Sequence, residues 1–295
     1  MTAALRTQRL AKRYAKTWAL RDCTLSLPQG RVVALVGPNG AGKTTLLQLA
    51  VGLTKPTSGT VEVFGAPVDG AGVALHAQVG FVAQEHPLYR GFTVADLLHL
   101  GRSLNASWDQ ALAERRLEAL GIPLTRRAGR LSGGQQVQVA LTLALAKRPR
   151  LLVLDEPVAN LDPLARRDFL RALMDAVATD GLTVLLSSHV IAELERVCDH
   201  LVLLRDGRIQ LAADIDDLLA GHRLLVGPRC TDDQLAAIPG LLRATSGARH
   251  TNLLVRTNGM VEPHPRWQAH GVSLEELVLA YLEQPQPADA KEADS

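Results

Sequence analysis

Three short stretches combine residue types whose chemistry depends on their spacing. The first, Gly37-Pro38-Asn39-Gly40-Ala41-Gly42-Lys43-Thr44, has the form G-x-x-x-x-G-K-S/T and follows the apolar run Val32–Val36. A helix-forming stretch, Lys43–Val51, begins within it, with Thr45 in the first turn. Glycines in such a loop let backbone N–H groups turn inward around phosphate oxygens, and the helix N-terminus adds a positive field. Lys43 has the reach and charge for the β- and γ-phosphates of a nucleoside triphosphate, and the Thr44 hydroxyl suits Mg2+. The dinucleotide pattern G-x-G-x-x-G is absent from this loop.

The second stretch is Leu151-Leu152-Val153-Leu154-Asp155-Glu156, a buried strand ending in two acids. An Asp at the carboxyl end of a strand beside a phosphate loop can bind Mg2+, and the next carboxylate can polarise an attacking water. Alone, an acidic strand end is ordinary; beside the loop at Gly37–Thr44 it becomes informative. The third stretch, Leu131-Ser132-Gly133-Gly134-Gln135, opens a helix over Gln135–Lys147 and makes a second phosphate-ready helix N-terminus. Read by itself it is equally a Ser-Gly-Gly helix cap. One nucleotide does not need two cradles in one chain, so the economical expectation is that the second serves ATP held by another subunit.

The elements that must position these residues follow from the apolar pattern. Val32–Val36, Val61–Phe64, Leu151–Leu154, Thr183–Leu186 and Leu201–Leu204 are strand-length aliphatic runs. Helical stretches at Lys43–Val51, Asp109–Leu120, Gln135–Lys147 and Leu164–Ala178 lie between them. Buried strands alternating with helices predict an α/β core with a largely parallel sheet. From Glu85 to Arg130 no buried strand occurs, and Pro87, Gly91, Gly101 and Pro123 interrupt the pattern, which predicts a helical subdomain inserted into the core. After Gly207, Leu218–Val226, Thr251–Arg256 and Ser273–Leu282 predict a small α+β appendage, with Ser273 capping the last helix and Glu276 as its box partner. The polar, proline-bearing stretch 284–295 is expected to be a disordered tail.

Composition sets the outer limits. The chain has 295 residues, 47% apolar and 21% charged, the balance of an ordinary globular chain, and its formal net charge of +2 gives no electrostatic case for a nucleic-acid binder. No apolar run has the length of a membrane span, and the N-terminus has no secretory h-region. Cys23, Cys198 and Cys230 are odd in number and far apart, as expected of reduced thiols rather than a bridge or zinc framework. The nine histidines show no metal-ligand spacing.

A phosphate loop, LSGGQ and a hydrophobic-Asp-Glu strand, in this order, resemble the ATP-binding subunits of ABC transporters, over residues 3–220. The resemblance implies a P-loop NTPase core carrying an antiparallel β subdomain and a helical subdomain at 85–148, with the appendage at 221–283 outside it. It implies ATP and Mg2+ as ligands, Gly37–Thr45 around the phosphates, Asp155 and Thr44 at the metal, and Glu156 as the catalytic carboxylate. Gln84 resembles the glutamine that touches Mg2+ or the attacking water and senses the membrane partner. Asp162, in Ala159-Asn160-Leu161-Asp162, resembles the loop that crosses the dimer interface. His189, after Ser187-Ser188, resembles the histidine that contacts the γ-phosphate. Tyr14 resembles the aromatic that stacks on adenine, and Trp18 is close enough to take that place.

The implied assembly is a head-to-tail dimer, of two copies or of this chain and a relative, holding two ATP molecules. Each would lie between Gly37–Thr44 of one subunit and Leu131–Gln135 of the other. A separate transmembrane permease would be the partner, giving peripheral association with the cytoplasmic face of the membrane and no nucleic-acid role. Ser187-Ser188-His189 and the closing helix resemble exporter ATPases, whereas importers more often place threonine before the histidine. A soluble ABC ATPase of ribosomes or DNA is the competing reading. It would call for tandem cassettes or a long coiled coil within residues 45–130, and the sequence has neither. A non-catalytic relative would lack Lys43, Asp155 or Glu156, all of which are present. Two departures stand out: Gln138 occupies a position where the family commonly has arginine, and Thr125–Arg130 is basic rather than acidic.

Overall fold

Leucine and valine dominate the strands that are buried on both faces, and these build the centre of the molecule. The computed structural model describes residues 3–70, 72–85, 88–159, 161–247, 250–257 and 266–284. The chain divides into two units, residues 1–212 and 213–295.

In the first unit, β3 (Val32–Val36), β6 (Val79–Val82), β7 (Leu151–Asp155), β8 (Thr183–Ser187), β9 (His200–Arg205) and β10 (Arg208–Asp214) form a six-stranded sheet in the order β10-β9-β3-β8-β7-β6. The five strands from β9 to β6 run parallel. Every residue of β3, β7 and β8 is buried, as the unbroken aliphatic runs require of a sheet covered on both faces. A second, antiparallel sheet joins β1 (Ala3–Tyr14), β2 (Thr17–Pro28), β4 (Ser58–Val63) and β5 (Ala66–Pro67), in the order β2-β1-β4-β5. Leu5, Leu10, Leu20, Leu25 and Leu27 from this sheet share one core with Val33, Leu35 and Val153 of the parallel sheet and with Leu46 and Leu47 of α1 (Lys43–Ala50).

Helix α2 (Gly72–Gln78) precedes β6. The inserted helical layer is α3 (Val94–Leu104), α4 (Gln110–Ala119) and α5 (Gly133–Ala146), with a 3-10 turn at Ala128–Arg130. Thr93 and Asp96 close α3 with a reciprocal capping box, and Asp109 caps α4. Leu97, Leu98, Leu117, Ile122, Leu131 and Val139 make this layer's own core. Helix α6 (Pro163–Asp180) follows β7, and the short α7 (Ile191–Leu194) follows β8. Arg148 ties the pieces together, pairing with Asp109 at 2.6 Å and Asp180 at 2.8 Å.

The second unit has α8 (Ile215–Ala220), β11 (His222–Pro228), α9 (Asp232–Ala236), β12 (Leu241–Ser246), β13 (His250–Arg256), β14 (Gln268–His270) and α10 (Leu274–Glu283). Its antiparallel sheet has the order β12-β13-β11-β14 and buries Leu225, Leu253 and Val255. The expected stretch Leu218–Val226 is in fact the end of α8 and the start of β11, with Gly221 between them. Ser273 and Glu276 form the capping box that their spacing predicts. Residues 285–295, most of the expected tail, lie outside the described residues. Among the described residues no helix is long and apolar enough to cross a membrane. The three cysteines are free thiols; burial raises Cys23 to about 11 and Cys198 to about 12.

Candidate functional site

The loop between β3 and α1 is wedged between the two sheets. A Cβ on Gly37 would stand 2.0 Å from the Leu204 carbonyl oxygen of β9, and one on Gly42, at φ 103°, would stand 2.4 Å from the Ala19 carbonyl of β2. No side chain fits at either place, so the loop packs backbone to backbone against β9 and β2 while Gly37 and Gly42 line the cleft. Gly42 is also the N-cap of α1 and offers no side-chain cap, which leaves the first-turn N–H groups of α1 for a ligand. The cleft has a volume of about 650 Å3 and is lined by Gly37 through Thr45, with Ala19, Gln84, Glu156 and His189.

Charges converge in it. Lys43 is 6% exposed; its Nζ donates to the Gly37 carbonyl at 2.8 Å and the Pro38 carbonyl at 3.2 Å, and lies 3.6 Å from Glu156 Oε1. Glu156 Oε2 lies 3.1 Å from His189 Nδ1. One carboxylate thus bridges the loop lysine and the histidine beyond β8. Glu156 adopts φ 45°, a left-handed conformation unusual for a residue with a Cβ, where the chain leaves β7. Asp155 is buried beneath it, paired in register with Ser187 of β8. Ser187 Oγ donates to Asp155 Oδ1 at 2.7 Å.

These positions bring together Lys43, Thr44, Gln84, Asp155, Glu156 and His189 as candidates on one cleft or directly under it. Ser132, Gly133, Gly134, Gln135 and Asp162 lie away from its lining. Ser132 is the N-cap of α5 and shares a capping box with Gln135; Asp162 caps α6, accepting from the Leu164 and Ala165 N–H groups. Gly134 packs near Ala165 at the start of α6. Tyr14 and Trp18 lie at the β1–β2 turn, outside the lining, where Ala19 represents β2. The Tyr14 ring is beneath the Lys12 ammonium, and the Trp18 ring beneath the Arg13 guanidinium.

The contacts of two residues escape sequence reading, although Ser187 itself stands out there beside His189. Ser187 is linked to the acids only through the β7–β8 register, and Arg116 only through helix packing. Arg116 Nη2 donates to Gln138 Oε1 at 3.0 Å and its Nε to Thr142 Oγ1 at 3.1 Å, so a guanidinium does stand beside Gln138, contributed by α4. Burial lowers the pKa of Arg116 to about 10.

Beside the cleft, β6 and the helical layer enclose a second hollow of about 550 Å3. Phe81, Leu88, Tyr89, Leu97, Leu104 and Trp108 are among its lining residues, and Tyr89 and Leu104 are 63% and 73% exposed.

A family model described as ABC transporter matches residues 20–159, and an overlapping AAA domain model matches 125–195. The phosphonates import ATP-binding protein PhnC 1 of Haloquadratum walsbyi is 37% identical over 68% of this chain and 72% of its own length. The Nod factor export ATP-binding protein I of Cupriavidus pinatubonensis is 36% identical over 70% of this chain and 65% of its own. The ABC transporter ATP-binding protein YtrB of Bacillus subtilis is 30% identical over 92% of this chain and 96% of its own, so that likeness reaches into the second unit. A solved structure described as "Structure of ATP binding subunit of ABC transporter" superposes with a TM-score of 0.67 at 29% identity, covering 73% of this chain and 91% of that one. By sequence and by fold, the chain belongs to the ABC transporter ATP-binding proteins, ATPases whose hydrolysis is coupled to transport.

Proposed function

We propose that the cleft at Gly37–Thr45 holds the phosphates of ATP and that Glu156 drives hydrolysis, powering export through a separate permease. The observation that carries this is the convergence of Lys43, Glu156 and His189 on one cleft whose loop admits no side chain at Gly37 or Gly42. Lys43 holds the β- and γ-phosphates, and the α1 N-terminus adds its N–H groups. Glu156 accepts the proton of the attacking water, and His189 steadies its second oxygen while facing the γ-phosphate. Thr44, Gln84 and Asp155 form an all-oxygen donor set of the kind Mg2+ prefers. The chemistry supplied by Mg2+ when bound is neutralisation of charge on the β- and γ-oxygens. Tyr14 or Trp18 stacks on adenine.

The site is completed by a second subunit, through Ser132–Gln135 and Asp162. Support for this comes from the exposure of Ser132 and Gly133 away from the chain's own cleft. The apolar hollow beside Gln84 is the docking surface for the permease, which places the protein peripherally at the cytoplasmic face of the membrane. Residues 3–220 form the cassette and 221–283 an appendage of the exporter type. Export is favoured by Ser187-Ser188-His189 and by the closing helix that begins at Ser273, both read from the sequence. Relatives of similar identity are named for either direction, so the sequence features of this chain carry the choice.

Glu156→Gln tests the catalytic assignment: turnover is lost while ATP-stabilised dimers accumulate on size exclusion, and normal turnover overturns it. Direction is tested in proteoliposomes with the cassettes facing the bath. External ATP drives a compound that stimulates the ATPase into the lumen for an exporter, and out of it for an importer.

A further inference from the structure

Ser187, the last residue of β8, is completely buried and stands opposite Asp155, the last residue of β7. Its hydroxyl makes two bonds at once, 2.7 Å to Asp155 Oδ1 and 2.8 Å from the Glu156 backbone nitrogen. The direction of each bond follows from the partners. A backbone N–H can only donate and a carboxylate oxygen accepts, so the hydroxyl gives its one hydrogen to Asp155 and receives that of Glu156.

The second bond falls on a strained residue. Glu156 has φ 45°, and a residue with a Cβ persists in the left-handed region only where its surroundings hold it there. That conformation sends the chain out of β7 with the carboxylate 3.6 Å from Lys43 Nζ and 3.1 Å from His189 Nδ1. His189 is two residues beyond Ser187, so the end of β8 grips Glu156 twice, by its backbone and by its carboxylate. Ser188 takes no part in the grip: its Oγ accepts from the Val190 N–H at 3.0 Å.

We propose that Ser187 is a positioning residue for hydrolysis, clamping the Asp155–Glu156 turn so that Glu156 aims into the cleft and Asp155 keeps one rotation. The clamp rests on the roles given above to Asp155 and Glu156. It acts on the orientation of the two acids and leaves the loop at Gly37–Thr45 untouched, so it separates turnover from nucleotide binding.

The test compares Ser187→Ala, Ser187→Thr and Glu156→Gln in the full chain. It measures turnover and, separately, affinity for a fluorescent ATP analogue with and without Mg2+. Ser187→Ala lowers kcat about tenfold or more, as expected when a reacting group is displaced, while Mg2+-free affinity stays within about twofold. The gain in affinity on adding Mg2+ shrinks in the same variant, because Asp155 is no longer held. Ser187→Thr keeps the hydroxyl on a side chain suited to a strand and restores kcat to within about threefold of wild type. Wild-type kcat in Ser187→Ala, a Ser187→Thr as slow as Ser187→Ala, or a Mg2+-free affinity that falls in step with kcat overturns the clamp. Normal turnover by Glu156→Gln removes the role of Glu156 and the clamp with it. A slow Glu156→Gln beside an unimpaired Ser187→Ala sinks the clamp alone.

Discussion

Lys43 Nζ lies 3.6 Å from Glu156 Oε1, with the two side chains 6% and 12% exposed. A cation and an anion so far out of water stabilise each other mainly by sparing one another an uncompensated burial. Removing either therefore has two effects, one on the ligand and one on the partner left behind.

Lys43→Ala is expected to weaken ATP binding by about 10- to 100-fold, the loss of about 1.5–3 kcal/mol that hydrogen bonds to charged groups supply. Equilibrium titration with a fluorescent ATP analogue measures it, and unchanged affinity rules out the phosphate role of Lys43. The same variant leaves the Glu156 carboxylate without its cation and lowers the melting temperature. Adding Glu156→Gln returns part of that loss.

Arg116→Ala leaves the buried Gln138 Oε1 without its donor, while the Thr142 hydroxyl keeps its own bond to the Gln138 carbonyl, and should cost about 1–3 kcal/mol of stability. Arg116→Leu combined with Gln138→Leu removes both sides of the bond and should recover much of it, since apolar replacement of a buried polar pair is often close to neutral. Thermal melts of the three chains decide; equal losses in the single and double variants would mean that only packing volume matters.

His222 lends the second unit a pH dependence. It is 3% exposed; its Nδ1 is 2.6 Å from the Leu218 carbonyl and its Nε2 3.0 Å from the Tyr281 hydroxyl. Burial lowers its pKa from the ordinary 6.5. Because the folded pKa lies below the unfolded one, the unfolded chain binds the extra proton first as pH falls. Stability is therefore whole above about pH 6.5 and declines as pH drops through and below that value. His222→Phe should flatten this part of the curve of melting temperature against pH, and an unchanged slope would place the dependence elsewhere.

Leu104→Arg puts a charge on the rim of the apolar hollow, at a side chain that is 73% exposed and so costs little folding energy. Co-purification of the permease from detergent-solubilised membranes should fall sharply, with ATP affinity retained. Full recovery of the permease would move the docking surface away from this hollow.

How far the fold could be read from the residues depended on how many faces each strand buries. β3, β7 and β8 are covered on both sides, so their aliphatic runs stand out, and the structure extends β7 and β8 by only one residue beyond the expected ends. β1 and β2 left no such trace. Register shifts interrupt their pairing, and Arg9 and Asp22 adopt φ 43° and 49°, so the two-residue alternation is lost and the antiparallel sheet rested on family resemblance alone. β6 is four residues long and β12 carries Arg243 and a polar end, too little pattern to register. The candidate site divides in the same way. Gly37–Thr44, Asp155 and Glu156 are legible because their chemistry is contiguous in the chain. Ser187 and Arg116 act through partners 31 or 32 and 22 or 26 residues away, and only strand register and helix packing reveal them.

The capping box at the start of α5 has a consequence for assembly. Ser132 Oγ accepts the Gln135 N–H, and the Gln135 side chain accepts the Ser132 N–H, so the helix end is settled without drawing on the hydrogen of the serine hydroxyl. That hydrogen is left to be given outward, from an oxygen already fixed in place. Folding of the lone chain therefore readies a donor that its own cleft does not use, and in the head-to-tail dimer proposed above two such chains would exchange what each holds in reserve.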